Sequence, residues 1–391
     1  MTEATAPART RAPLLRGADA ALALDRAQHI LTASLPLITQ GTTGPESTLR
    51  YGGAALVAEA LARAGRGDDA TLRPILREAL VFAPDRLTLF DGAGGLLVVL
   101  DAVDPERTSF ASVRARLRDA LAASIRDAPP PECPNVSGYD LVSGVAGRAL
   151  ALGPDASSAS SLRDYANAYA DSVERYLAAD DPNVAASVNL GVAHGIPGML
   201  AALNAALPHD RVLGQRFTEL VLRCGHVVND GVYRWGSVWR AHQRPTNRRA
   251  WCYQTAGVAA VLDDRGRLDG DDALRALATT ALGALLDGPD DDTAGTDAAL
   301  CHGRGGIAAL AWRFADRDAR FTAHAERLAH EVLDAFDERL PLGYHGWDTT
   351  AKAFVDRPGF IDGALGIAQF FVDAATGIER RWLPLFGLLP D

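Results

Sequence analysis

Two cysteines and one histidine are the residues of this chain best suited to bind a metal. Cys252 lies in "AWCYQTAGVAAVL", and Cys301, followed directly by His302, lies in "LCHGRGGIAALAW". Thiolate sulfur and imidazole nitrogen are preferred ligands of Zn²⁺, and three protein ligands leave a fourth tetrahedral position for a substrate or water. The three residues therefore predict one catalytic Zn²⁺ per chain. The alternative is that both cysteines are small buried residues in tight turns.

Both cysteine segments belong to a repeat that runs through most of the chain. Each copy has a glycine, two further residues, a second glycine and then an apolar helix start. The second glycines lie 42 to 60 residues apart, an interval that accommodates two helices and two loops. They are Gly53, Gly95, Gly147, Gly198, Gly257, Gly306 and Gly366. The copy at Gly53 lacks the first glycine, and Gln254 replaces it in the copy at Gly257.

The reactive residues occupy matching positions of this repeat. The residues directly before the first glycine are Asp91, Ser143, His194, Tyr253, His302 and Asp362. The residues one place earlier include both Cys252 and Cys301. Equivalent positions of stacked hairpins lie at one height, and in a closed ring they also face a common axis. We therefore predict an all-α protein, an α/α toroid of seven helical hairpins over residues 19–391, rather than an open solenoid. A flexible arm is predicted for residues 1–18.

Composition excludes several classes of partner. The net charge of -10 and the pI near 5.4 argue against a broad nucleic-acid surface, which requires a basic face. Neither a secretory signal nor an apolar segment of membrane-spanning length is present, so we expect a cytoplasmic protein without membrane insertion.

Cys224 is interpreted as a packing residue in a helix, and Cys133 is given no role. Two long insertions, 231–250 and 340–359, predict loops at the rim of the site, with a short hairpin at 232–239.

Three motifs in this order on this repeat resemble the lanthipeptide cyclase (LanC) family: "AHGIPG", "WCY" and "CHGRGG". The resemblance extends from about residue 20 to the end. It implies an α/α toroid with a central zinc held by Cys252, Cys301 and His302. It also implies intramolecular addition of peptide cysteine thiols to dehydroalanine or dehydrobutyrine. The implied partners are a dehydrated precursor peptide with leader and core, a dehydratase and an export transporter, and the chain is expected to be a monomer.

The resemblance further implies three catalytic residues, namely His194, Asp140 and Arg248, with Arg249 as the neighbouring alternative to Arg248. His194 would act as general acid and Arg248 would stabilise an oxyanion. Asp140 would orient His194 or receive the thiol proton. Each also has a structural alternative: a backbone hydrogen bond for His194, a helix N-cap for Asp140 and a solvated loop charge for Arg248. Gln254 departs from the family, which has glycine after "WCY".

Three other functions are compatible with parts of the sequence. A toroidal glycosidase would use carboxylates such as Asp91, Asp140 and Asp362 as acid and base. We instead interpret Asp91 and Asp362 as N-caps or turn formers. A LanC-like protein could add glutathione to dehydrated residues, and a related scaffold could bind peptides without catalysis. Metal content distinguishes the glycosidase from a cyclase, and the mass of the product distinguishes glutathione addition. In a scaffold, Cys252→Ala would leave peptide binding intact.

Overall fold

The computed structural model describes residues 11–40, 47–67, 69–82, 86–131, 138–179, 188–228, 231–239, 248–289, 297–348 and 353–391. Within these ranges, fourteen helices alternate between an inner and an outer layer. The inner helices are α2 (Ser47–Arg63), α4 (Ala93–Val103), α6 (Val145–Leu152), α8 (Ile196–Ala206), α10 (Thr255–Asp269), α12 (Arg304–Arg313) and α14 (Ala364–Thr376). The outer helices are α1 (Gly17–Gln40), α3 (Asp69–Phe82), α5 (Ala111–Arg126), α7 (Ala159–Leu177), α9 (Arg211–Arg223), α11 (Asp272–Asp287) and α13 (Ala319–Asp334).

The two layers differ in how their apolar residues are distributed. Nearly every residue of α8 and α14 is buried, because neighbouring inner helices flank them and outer helices cover them. The outer helix α13 buries only one face, with Phe321, Ala325, Leu328 and Val332 at helical spacing. This difference confirms a double ring of helices. None of the described helices combines the length and the apolar character needed to cross a membrane.

The ring closes, which confirms the predicted α/α toroid. Each inner helix packs against the next, and α14 packs back against α2. The outer partner of α14 is α1, so the seventh hairpin joins helices from opposite ends of the chain.

The predicted flexible arm is corrected at its end. The Arg11 amide donates to the Gly377 carbonyl over 2.8 Å, and Leu14 and Leu15 are buried beside α14. Residues 11–16 therefore belong to the ring, because their apolar side chains cover the end of the last hairpin. Residues 1–10 and Cys133 lie outside the described residues.

The repeated glycines allow the chain to fold back closely over the helix that follows. A Cβ atom at Gly306 would overlap the Leu300 carbonyl oxygen, and one at Gly366 would overlap that of Phe360. The first copy differs, since α2 begins before Gly53 and this glycine packs on the Phe360 side chain. The degenerate first copy thus still forms an inner helix of the ring.

A short antiparallel hairpin lies within the second insertion, and another begins before the first insertion and ends within it. Strands β1 (His226–Val227) and β2 (Tyr233–Arg234) pair, as do β3 (Gly346–Asp348) and β4 (Ala353–Val355). The hairpin predicted within 232–239 is therefore misplaced, because its first strand precedes that segment. Residues 237–239 bond instead to the preceding repeat, through Leu190 N–H to Ser237 C=O and Trp239 N–H to Val188 C=O.

Candidate metal centre

A series of backbone hydrogen bonds links the turns that precede the inner helices. In five successive repeats the acceptor is the carbonyl two residues before the first-glycine position, and the N···O distances are 2.8–3.2 Å. The bonds run from Leu89 to Val142, Leu141 to Ala193, Ala193 to Cys252, Trp251 to Cys301 and Cys301 to Ile361. Matching positions therefore lie side by side around the axis, as the repeat alignment predicts.

These turns enclose a cavity of about 330 Å³. Its lining includes the predicted repeat positions Asp91, His194, Cys252, Tyr253, Cys301, His302 and Asp362. Apolar wall is supplied by Phe90, Trp251 and Phe360. The cavity thus brings reactive groups from several repeats together on one apolar surface.

Cys252, Cys301 and His302 form a cluster with the dimensions of a metal site. One ligand atom from each lies within 4.8 Å of the others. A tetrahedral zinc ion with Zn–S bonds of about 2.3 Å separates two sulfurs by about 3.8 Å, so the cluster fits this ion. All three residues border the cavity, so a metal ion held by them would be accessible to a substrate in that cavity.

The electrostatics of the cluster favour a cation. A hydrogen bond from Cys301, with His302 and Arg248 nearby, lowers the pKa of Cys252 to about 5. The same hydrogen bond, together with burial, raises the pKa of Cys301. The lowered pKa of Cys252 favours its thiolate, the form that binds metals.

His302 has a buried acidic neighbour that the sequence interpretation missed. Asp297 is only 4% exposed, and its Oδ2 lies 3.3 Å from His302 Nε2. This contact is the main reason that the pKa of His302 is raised to about 10. A signal was present in the repeat: Asp297 lies six residues before the first glycine, the position that Arg248 also occupies.

His194 is fixed by two consecutive residues. Its Nδ1 lies 2.7 Å from Asp140 Oδ2, and the Tyr139 hydroxyl donates to the His194 carbonyl over 2.7 Å. The hydrogen bond to Asp140 raises the pKa of His194. Since Nδ1 is bound, Nε2 is the nitrogen available for proton exchange with a substrate. Tyr139 was not identified from the sequence.

Asp140 also stabilises its own turn. Its Oδ1 accepts from the amides of Ser143 and Gly144 over 2.7 and 2.9 Å. The N-cap residue of α6 is Gly144, not Asp140. The N-cap interpretation of Asp140 is therefore wrong, although its side chain contacts His194 and bonds the turn before α6.

The two neighbouring arginines have different surroundings. Arg249 donates through Nη2 to the carbonyls of Leu286 and Gly288, over 3.0 and 2.6 Å, at the end of α11. The charge of Arg248 contributes to lowering the pKa of Cys252 and acts in the same direction on Tyr253. Arg248 thus acts electrostatically on two residues of the cavity, although it is not among the residues that line it.

The remaining candidate carboxylates also line the cavity. Asp362 Oδ2 pairs with Arg357 Nη2 over 2.7 Å. The N-cap residues of α4 and α14 are Gly92 and Gly363, and neither helix has a side-chain cap, so the N-cap interpretation of Asp91 and Asp362 is wrong. The side-chain oxygens of Asp140 and Asp362 accept from hydrogen-bond or ion-pair donors. The general acid of a glycosidase must instead carry a proton and donate it to the leaving group.

Comparisons with known proteins agree with this architecture. The family described as "Lanthionine synthetase C-like protein" matches residues 53–386, most of the chain. A search of curated proteins finds no match. Among solved structures, the fold is similar to that of nisin cyclase, with a TM-score of 0.58 and 15% identity over 88% of this chain and 91% of that one. At 15% identity, the structural similarity shows only a shared fold. The family model, in contrast, matches the amino-acid sequence over residues 53–386. The chain therefore belongs to the lanthionine synthetase C-like family.

Proposed function

We propose that this protein is a zinc-dependent lanthipeptide cyclase. It would add a cysteine thiol of a dehydrated precursor peptide to a dehydroalanine or dehydrobutyrine of the same peptide. The observation that carries the proposal is one cavity bordered both by the Cys252–Cys301–His302 cluster and by His194, whose Nδ1 is bonded to Asp140 behind it. Membership of the family supports a cyclase-like function as the general class.

Cys252, Cys301 and His302 would hold the zinc. A free cysteine has a pKa of about 8.5, so little of it is thiolate at neutral pH. Zinc bound here would remove the thiol proton of the incoming cysteine and retain its sulfur as a nucleophile.

The residues of the chain would then direct the addition. The sulfur forms a bond to the β-carbon while the alkene electron pair moves onto the α-carbon and its carbonyl. Arg248 would stabilise the charge on that oxygen, and His194 would deliver a proton from Nε2 to the α-carbon. One proton leaves the thiol and one is gained by carbon, so the thioether product has the same mass as the substrate.

The partners of the reaction follow from its chemistry. The dehydrated residues must be supplied by a dehydratase that acts before this protein, and the ring-bearing peptide would be passed to an export transporter. We place the chain in the cytoplasm as a monomer that acts on the leader and core of the precursor. The apolar wall of Phe90, Trp251 and Phe360 would exclude water from the reacting atoms.

Metal analysis followed by incubation with a dehydrated precursor tests this function. We expect one zinc per chain and a product of unchanged mass whose cysteines no longer react with an alkylating reagent. Full activity of metal-free protein would contradict the proposal. A mass increase equal to glutathione, when glutathione is supplied, would indicate intermolecular addition. Peptide binding without ring formation would indicate a non-catalytic scaffold.

A further inference from the structure

We propose that Asp297 is a positioning residue that selects the nitrogen through which His302 binds the metal. The carboxylate would accept a hydrogen bond from Nε2–H and so leave Nδ1 for the ion. This inference rests on the metal site of the proposed function and does not depend on the reaction that the site catalyses.

The contacts of Asp297 divide between its two oxygens. Oδ1 accepts from the Ala299 amide over 2.8 Å, a bond that forms the turn before α12. Oδ2 is buried and has no hydrogen-bond partner of normal geometry within the described part of the chain, but His302 Nε2 lies 3.3 Å from it, within ion-pair distance. A buried carboxylate oxygen is costly unless a donor or a cation compensates it. The imidazole N–H of His302 is the group placed to do so.

The repeat shows that this contact follows from position. In two neighbouring repeats, the residue six places before the first glycine contacts the residue one place before that glycine. These pairs are Asp297 with His302 and Arg357 with Asp362. Asn189 occupies the same position before His194, and its Oδ1 accepts from the Gly191 amide over 2.8 Å. Asn189 thus forms the same hydrogen bond within its turn as Asp297 does, but the residue one place before the first glycine of its repeat, His194, does not belong to the metal-binding cluster.

A carboxylate on the outer nitrogen of a metal-binding histidine has a known physical effect. It fixes the tautomer and the ring orientation and makes the other nitrogen a stronger donor, and its loss typically costs about 10–100-fold in metal affinity. Asp297 meets the geometric requirement for this role at His302.

Asp297→Asn tests the assignment with little change in shape. The asparagine retains an oxygen for the Ala299 amide but turns an NH₂ group toward Nε2, which cannot accept the imidazole proton. We expect the Kd for zinc, measured by competition with a chelator, to rise about 10–100-fold. The visible spectrum of the cobalt-substituted protein should shift as well. Asn189→Ala is the matched control, because it removes the equivalent turn bond but should leave the Kd for zinc unchanged.

An unchanged zinc Kd and cobalt spectrum in Asp297→Asn would overturn the inference. Should this variant fail to fold, the ¹⁵N shifts of the His302 imidazole in the zinc-loaded wild-type chain decide the question. Protonation at Nε2 is expected, and zinc on Nε2 would refute it. Failure of the proposed function is distinguishable, because a chain that binds zinc through Nδ1 but forms no rings would sustain this inference alone. A chain that binds no zinc would overturn both.

Discussion

His194 illustrates how adjacent residues can fix one imidazole at two points. Tyr139 holds its backbone carbonyl and Asp140 holds Nδ1, while the other Asp140 oxygen is bound by the turn. The side chain of Asp140 therefore cannot rotate without breaking bonds at both oxygens. This rigidity keeps Nε2 of His194 available to the cavity and supports its assignment as the proton donor.

His194→Ala should retain zinc but slow ring closure by about 10²–10⁴-fold, the usual contribution of a general acid. His194 is not a member of the metal-binding cluster. Zinc content and the rate of thiol loss from a dehydrated precursor measure the two effects separately. A fall in zinc content would place His194 among the ligands.

The rate of cyclisation should depend on the protonation of His194. The hydrogen bond to Asp140 raises the pKa of His194 above the ordinary value of 6.5, and only the protonated form donates. The rate should therefore fall as the pH rises through this raised pKa. The same shift stabilises the fold at low pH, and that contribution is lost as the pH rises through the folded-state pKa.

Asp140→Asn removes the main cause of the shift, so the alkaline limb of the pH profile should move to lower pH. Initial rates in matched buffers measure it. Identical alkaline limbs in wild type and variant would exclude His194 as the titrating acid.

Cys301→Ala should lose zinc and ring formation together, because two ligands do not hold the ion as three do. Cys224→Ala is the control: this buried cysteine lies at the end of α9 and outside the cluster, so its loss should affect packing and leave zinc content unchanged. Both are measured by metal analysis and a cyclisation assay. Normal ring formation by Cys301→Ala would refute the metal site.

The repeat made Cys252, Cys301, His302 and His194 predictable, because their distance from a glycine places them on the cavity. Asp297 was missed because its role depends on a contact within a turn whose shape the glycine pattern does not specify. The roles of His194 and Asp140 remain predictions that the variants above test, and the role of Arg248 also remains a prediction.

At the scale of elements, Gln254 is the residue that departs from the glycine pattern. It is the N-cap residue of α10, and its backbone angles are φ of 68° and ψ of -157°. Residues other than glycine rarely adopt this backbone conformation. Such strain costs about 1–3 kcal/mol. The helix begins at the usual place in spite of the substitution, so the repeat constrains this turn more strongly than the residue type does.

Gln254→Gly should therefore be more stable than Gln254→Ala. Both variants lose the buried glutamine side chain, but only glycine relieves the strained backbone. We expect a difference of about 1–3 kcal/mol in the free energy of unfolding, measured with urea. A glycine variant that is less stable than the alanine variant would show that the turn is not strained.

The two insertions were predicted from the long intervals between repeats, whereas the hairpin predicted at 232–239 was misplaced and the hairpin of β3 and β4 was not predicted. The segment 237–239 bonds to residues 188–190 of the preceding repeat, so its structure depends on a partner distant in sequence. Composition rich in glycine and aromatic residues indicates a loop but does not identify such a partner.

At the scale of the whole molecule, the metal ligands come from two neighbouring repeats that a backbone hydrogen bond already joins, from Trp251 N–H to Cys301 C=O. Zinc would add a second connection at the same place. An ion that binds only the folded chain stabilises it by about 2.7 kcal/mol when its free concentration is 100 times its Kd.

Removal of zinc by a chelator should therefore lower the Tm of wild-type protein. Cys301→Ala, which lacks a ligand, should unfold at one temperature with and without chelator. Differential scanning calorimetry measures both. An equal effect of the chelator on the two proteins would mean that the stabilising ion lies elsewhere.

The closure of the ring was predicted from the convergence of the reactive residues. The outer helix that pairs with α14 was not predicted. The repeat count alone does not identify α1 as that partner, because α1 carries no glycine motif. Its contact with α14, and the burial of Leu14 and Leu15, depend on the three-dimensional path of the whole chain.

The pairing of α1 with α14 also has a consequence during synthesis. α1 precedes α14 in the sequence, with the other described helices between them, so the buried stripe of Ala23, Ala27 and Ile30 on α1 is synthesised long before α14, the helix against which α1 packs. A nascent chain of this protein thus carries part of α1 without its native cover while the helices between α1 and α14 are made, and the ring can close only after α14 has emerged.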